Sequence, residues 1–589
     1  MQFTSALSPI VSAALLIVGS VACVEHELIG IEADSEGATS SGVDQDTGDQ
    51  GSDAGEGGEL PGPLAELPEE AWEPRPNPDG VPEPKPGIYE DVGVADEDDP
   101  LRSLIGLSLR NRAGLDDFLF DVSNPTSAIY GQYMSFDEFI AEHGPRPEDV
   151  ELLTLWLEWV GFDVRNVATS GMLIHFHGTV GTFNKAFDTT LHLCLRENPQ
   201  HGQPPFPVYC APGGMTLPAF VVDRSPGIIT CDLPARDAPL VQEGGQVQVI
   251  PPENSAANLT PNRLAAIYDL DVLWAQGYDG SGETIAVITG TSPHFTWMQT
   301  FWQSFGITRP VPATVALLEP PSTRAIEATL NPAWAGAMAP GAQIIQYAGP
   351  DTRNSSTVYV YNEAIARMPG DGAKILTTSL AHREDSEPDL VRESYDASAA
   401  MGAAMGLTLM AASGNSGKPD TPSSSPYSLA IGGTHVTADK FGNVLDEVAW
   451  EASGSGVTLS FPMPPWQAEA AGHISDRHVV VDLALAAAPG GGSAYWVYWL
   501  NEWKVFGGTS FAAPAFAGMA AVMNQYRAAN GMPPLGFLAP KLYWVEDVHQ
   551  LGFRDITNGG TADFSSGIGW DVPTGWGAPR VDVLAGIVP

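Results

Sequence analysis

The chain has 589 residues and a formal net charge of −44, from 71 acidic against 27 basic side chains, which argues against nucleic acid or anionic lipid as a partner. Its length allows several domains. Its four cysteines show no spacing that suggests a zinc site or a redox dithiol.

In chain order, residues 1–22 carry an apolar core, Ile10 to Val21, that ends in Ser20-Val21-Ala22 before Cys23. This reads as an export signal, too short to span a bilayer. Two destinations follow, secretion or a cell-envelope lipoprotein with its lipid on Cys23. Residues 23–100 are rich in Asp, Glu, Gly and Ser, then in Pro, as in Asp44 to Glu59 and Pro74 to Pro86. So little apolar surface does not offset the entropy of ordering, so the expectation is a disordered acidic tether.

Residues 101–232 are expected to form an α+β unit. Leu101 to Leu109 alternates as a strand, and Asn111 to Val122 reads as a helix closed by the turn Ser123-Asn124-Pro125. Ser135 to His143 and Pro147 to Val160 read as helices, the first with Ser135 as cap and Glu138 three residues on. Met172 to His177 returns to strand. One disulfide is expected among Cys194, Cys210 and Cys231, with its pairing open. The stretch 233–258, with Gly244-Gly245 and Pro251-Pro252, is a linker.

From residue 259 to 589 apolar strands alternate with helical stretches: Glu283 to Ile288, Gln343 to Tyr347, Ala373 to Thr377 and Leu407 to Ala411. That alternation predicts an α/β fold, a parallel sheet with helices on both faces and its site at the strand C-termini. Near the end stands Phe506-Gly507-Gly508-Thr509-Ser510-Phe511-Ala512-Ala513-Pro514. The glycines allow a sharp turn, and Pro514 suits the first turn of a helix. Ser510 is thereby expected at a helix N-terminus, a setting that favours developing negative charge and a nucleophilic hydroxyl.

Further motifs join this one. Asn124-Pro125 with Tyr130 and Tyr133 occurs in the first unit; Leu259-Thr260-Pro261, Trp334 to Ala342, and Pro426-Tyr427 with Gly432-Gly433-Thr434 occur in the second. In this order they resemble the sedolisins, the serine-carboxyl peptidases, over nearly all of residues 101–589. The resemblance implies a subtilisin-like peptidase domain (259–589) and an activation prodomain (101–232) that acts as its inhibitor or chaperone. The 233–258 linker would carry the processing site, and the substrate would be a peptide or protein.

The resemblance carries the nucleophile onto Ser510 and the general-base glutamate onto Glu327. The family's supporting aspartate falls on Asn331, and its oxyanion-hole aspartate on Asn415, within Gly414-Asn415-Ser416-Gly417. The acid usual after the first strand is Thr289. An amide donates a hydrogen bond at any pH, whereas a carboxyl must be protonated, so these changes suit a site working nearer neutrality. Pro332 disfavours helix geometry beside Asn331 and is expected to displace the support of Glu327. A subtilisin-type triad is no substitute, because His294, His382 and His435 do not stand where its histidine would. The alternatives to an active peptidase are a pseudopeptidase that keeps a peptide-binding cleft, and a surface-anchored scaffold. Finally, Asp555-Ile556 and Gly567-Ile568-Gly569-Trp570-Asp571 resemble the family's calcium site. The implied ligands of one structural Ca²⁺ are the carboxylates of Asp555 and Asp571 and the carbonyls of Ile556, Gly567 and Gly569.

Overall fold

A computed structural model describes residues 60–76, 89–196, 206–230, 242–243, 258–321, 326–380 and 382–589. The export signal, Cys23, the tether as far as residue 59, Cys231 and most of the 233–258 linker lie outside the described residues.

The N-terminal unit is built on an antiparallel sheet in the order Asp163–Val167, Leu173–Thr179, Pro100–Gly106, Gly227–Thr230. Alternation along these strands sorts the side chains onto two faces. Ile105, Ile174, Phe176 and Ile228 join Leu153, Trp156 and Leu157 of the helix Pro147–Trp159 in one core. Leu104, Leu173 and Ile229 face the other way and merge with the core of the C-terminal unit. The predicted helices occur at Arg112–Ser123, Phe136–Glu142 and Pro147–Trp159. The Ser135–Glu138 capping box is formed in both directions.

The acidic stretch before residue 101 departs from the expected tether. Helical turns at Gly62–Glu66 and Glu69–Trp72 lead into Pro74–Pro76, which pairs with Thr216–Pro218. Tyr89–Val94 pairs with His192–Arg196. Composition failed here because a few apolar side chains suffice when a finished core receives them. Leu64 is wholly buried, and Trp72 meets Phe220 and Trp159 edge-on at 5.1 and 5.8 Å. Cys194 and Cys210, on the neighbouring strands His192–Arg196 and Phe206–Cys210, form the disulfide.

The C-terminal unit holds an 8-stranded sheet. Ala313–Ala316, Gln343–Ala348, Thr284–Thr289, Ile375–Thr378, Thr408–Ala412 and Leu429–Ala438 lie side by side in that order, all parallel. Leu483–Ala486 adds a further parallel strand against Leu429–Ala438, and Val444–Ala449 an antiparallel one. The helices Ile326–Met338 and Thr509–Ala529 pack against each other over the strands and bring Glu327 and Ser510 to one place. The helices Asn354–Asp371 and Asp389–Ala404 receive the sheet of the N-terminal unit.

Polar pins cross that contact. The Thr169 backbone N–H and hydroxyl each donate to the Glu363 carboxylate at 2.8 Å, and the Ser170 hydroxyl donates to Asn362 Oδ1 at 2.6 Å. Arg112 pairs with Asp396 at 2.8 Å, and the Tyr427 hydroxyl donates to Asp116 at 2.9 Å. Among the described residues no helix is long and apolar enough to cross a membrane.

Candidate active site

Ser510 is the second residue of its helix and is wholly buried. Gly508, at φ 142°, turns the chain from the strand Glu502–Gly507 into that helix, a backbone angle that favours glycine. The Ser510 Oγ–H donates to Glu327 Oε1 at 3.3 Å. Glu327 lies in the first turn of the helix Ile326–Met338 and is half-buried.

Pro514 does not occupy the first turn as expected, because the helix begins at Thr509. It stands four residues after Ser510, where a proline leaves the Ser510 carbonyl without its helical donor. The buried Ser379 hydroxyl, just past the end of a central strand, lies 3.1 Å from that carbonyl and 3.1 Å from Asn331 Oδ1. Its single proton serves one of the two at a time. Ser379 thus ties the helix of Ser510 to that of Glu327.

Asn331 is buried, and its Nδ2 has no hydrogen-bond partner. It therefore does not donate to Glu327. Pro332 does not break the helix, which runs continuously from Ile326 to Met338 with the proline inside it. Helix geometry at Asn331 is therefore kept, although Asn331 still gives Glu327 no hydrogen bond.

Asn415 lies in the turn after the strand Thr408–Ala412. Its Oδ1 accepts the Thr509 N–H at 2.9 Å and the Thr509 hydroxyl at 3.0 Å. That fixes the amide, and the remaining group, Nδ2, is buried without a partner beside the start of the Ser510 helix. Thr289, at the end of the first strand, accepts from Gln346 Nε2 at 2.9 Å. The His294 ring is stacked on Trp297 at 3.5 Å, and His382 lies 3.3 Å from Glu387. His435 belongs to the strand Leu429–Ala438.

Within the linker, Gln242–Glu243 forms a short strand antiparallel to the one that leads to Ser510, with Gln242 opposite Gly507 and Glu243 opposite Phe506. At these two residues the backbone runs beside the strand that leads to Ser510.

In the C-terminal loop, Asp571 Oδ2 accepts the Gly567 N–H at 2.9 Å, and Asp555 Oδ2 accepts the Gly569 N–H at 3.0 Å. Both carboxylates thereby close on one turn. Burial pushes Asp571 up to about 6, and the charge of Asp555 adds to the rise. Two hard oxygen donors that repel each other at a half-buried turn fit a divalent cation, which would hold both ionised. Among the described residues no cluster of three or more His, Cys, Asp or Glu adds to them, so carbonyls would have to complete the set.

Sequence reasoning missed Ser379, Gln346 and Thr509. A glutamine inside the apolar run Ile344 to Tyr347 was the one readable signal, since a buried strand position seldom holds an amide without a partner for it.

A parallel sheet with helices on both faces, a serine at a helix start beside a glutamate, and an N-terminal domain docked on two helices define a subtilisin-like peptidase architecture with an activation domain. Comparison with known proteins agrees. Residues 89–202 match the family model "Pro-kumamolisin, activation domain", and residues 322–570 match "Subtilase family". Mouse tripeptidyl-peptidase 1 is 27% identical, over 85% of this chain and 93% of that protein. Kumamolisin of Bacillus sp. (strain MN-32) is 28% identical over 78% and 86%, and sedolisin of Pseudomonas sp. (strain 101) is 24% identical over 82% and 86%. The chain thus joins a pro-kumamolisin-type activation domain to a subtilase-type peptidase domain, and over most of its length it is similar to peptidases of the sedolisin family.

Proposed function

We propose that this zymogen hydrolyses peptide bonds by attack of Ser510 Oγ, with Glu327 as general base and Asn415 as oxyanion donor. The observation that carries the reading is the 3.3 Å hydrogen bond from Ser510 Oγ to Glu327 Oε1. In the first step the serine oxygen bonds to the scissile carbonyl carbon while its proton passes to Glu327. The carbonyl oxygen takes up the negative charge, and Asn415 Nδ2, the buried N–H without a partner, donates to it. Collapse breaks the C–N bond, and Glu327 returns the proton to the leaving amine. Water then attacks the acyl-serine, giving its proton to Glu327, and the carboxylic acid leaves as Ser510 is regenerated.

The departures from the family's acids set the working pH in this reading. Glu327 must be ionised to accept the proton, while Asn415 donates whatever the pH. The site therefore tolerates neutral conditions where a carboxyl oxyanion donor would have lost its proton. Asn331 acts through Ser379, as an anchor between the two helices.

In the same reading Asp555 and Asp571, with the carbonyls of Ile556, Gly567 and Gly569, hold one Ca²⁺. When bound, the ion supplies charge compensation that ties the C-terminal loop to the core. The chain acts outside the cell, as a secreted protein or through a lipid on Cys23. The short pairing of residues 242–243 beside the nucleophile's loop supports cleavage of its own linker.

The test is the full chain with calcium, incubated from acid to neutral pH and followed for cleavage within 233–258, with Ser510→Ala as control. Ser510-dependent cleavage and hydrolysis of a denatured protein are the expected results. A parent and a control that stay equally intact, and equally inert toward that substrate, overturn the reading.

A further inference from the structure

Pro332 creates a defect in the helix that carries Glu327. In an α-helix the carbonyl of Ala328 accepts from the N–H four residues on, and at position 332 there is none. Ala328 is buried, so water is a poor substitute. The missing donor comes from another element. Gln346, wholly buried on the strand Gln343–Ala348, donates Nε2–H to the Ala328 carbonyl at 3.0 Å. The second hydrogen of the same amide goes to Thr289 Oγ1 at 2.9 Å, and the Thr289 hydroxyl donates to the Thr291 carbonyl at 3.2 Å. The amide is therefore held at both hydrogens, in the orientation that serves the helix.

The residue so held, Ala328, directly follows Glu327 in the same helix, so a shift of that backbone carries the carboxylate with it. Its bond to Ser510 is already 3.3 Å long, so a shift of half an ångström ends it. We infer that Gln346, fixed by Thr289, is a positioning residue for the general base, replacing the hydrogen bond that Pro332 removes. The inference rests on the catalytic reading of Ser510 and Glu327. Thr289 then has a defined task in this chain: it orients the glutamine. The Ser510 helix shows the same arrangement independently, with Pro514 leaving the Ser510 carbonyl to Ser379.

A mutant cycle in the full chain tests this, comparing the parent, Gln346→Met, Pro332→Ala and the double variant by kcat, KM and thermal midpoint. Gln346→Met is expected to lower kcat about tenfold with KM within about twofold, because a displaced base weakens the transition state more than substrate binding. Pro332→Ala restores an N–H at position 332, so in that background Gln346→Met should cost less than about twofold in kcat. Should Gln346→Met fail to fold, Thr289→Val frees the glutamine without changing either helix, and is expected to lower kcat in the same direction. Equal losses of kcat in the proline and alanine backgrounds overturn the inference and leave Gln346 as core packing. A parent with no Ser510-dependent hydrolysis overturns the catalytic reading and the positioning role with it. In that case additive midpoints in the same cycle would also reject the hydrogen-bond replacement itself.

Discussion

Acidification should loosen the activation domain from the peptidase domain through His175. This side chain is 1% exposed, on the strand face that meets Tyr359 of the helix Asn354–Asp371, with ring centroids 6.2 Å apart. Its Nδ1 has no hydrogen-bond partner. Burial, then His177, Arg102 and Arg165 hold it down to about 3, with Asp351 opposing. Burial also holds His177 down, with Arg102 and Arg165 acting alongside, while Glu319 and Asp163 pull the other way. Arg102 stands 3.5 Å from both Glu319 and Asp351, so the carboxylates near the pair already face a cation. The docked pKa is depressed below the ordinary value near 6.5, so docking has its full advantage above that pH. The advantage is lost as the pH falls from about 6.5 toward about 3. At pH 4.5 the released imidazole is protonated and the docked one is not. Two pH units at about 1.4 kcal/mol each give about 3 kcal/mol, near 100-fold, if release fully exposes the ring. Urea unfolding of the Ser510→Ala chain, which cannot cleave itself, should show its first transition weakening by about that amount between pH 7 and pH 4.5. His175→Phe keeps the burial and removes the titration, so most of the pH dependence should vanish. Equal slopes for the two proteins would refute the reasoning.

Three further outcomes are expected, the first two from the proposed function and the third from the disulfide. Asn415→Ala should lower kcat by about 10²–10³, as loss of an oxyanion donor does, while Asn415→Asp should retain activity mainly at acid pH; an optimum that stays in place for Asn415→Asp sinks the neutral-pH argument. Chelation of calcium should lower the thermal midpoint of the parent and leave that of Asp571→Asn unchanged, the stabilisation being about 2.7 kcal/mol at an ion concentration 100 times its dissociation constant. Cys194→Ser should destabilise the activation domain by about 3 kcal/mol, the loop entropy for a sequence separation of 16, with peptidase-domain unfolding little changed in the same calorimetric trace.

The peptidase fold was legible because its strands are apolar runs separated by helical stretches, and burial on both faces of a parallel sheet demands that pattern. The activation domain was legible from alternation and from the Ser135–Glu138 capping box, which the structure forms in full. Spacing alone did not reveal the order of residues 60–76, because Leu64 and Trp72 are too few to predict a core and only find one already built by Trp156 and Phe220. The disulfide pairing was closed to sequence reasoning for a related reason. It depends on the register of two strands joined across residues 197–205.

The candidate site divides along the same line. Ser510 and Glu327 are set by local pattern, a glycine turn into one helix and the start of another. The roles of their neighbours depend on what lies across the sheet. Local rules say that Pro332 weakens the helix that carries Glu327, and they are right about the bond it removes. They cannot see Gln346, which comes from a different strand and supplies a donor to the same carbonyl. Thr289 looked like an acid lost from a network. In the fold it is the acceptor that holds that glutamine in place. A substitution that reads as damage in sequence can therefore be half of a pair whose other half arrives only with tertiary structure. The test of such a pair is that removing both halves costs less than removing one.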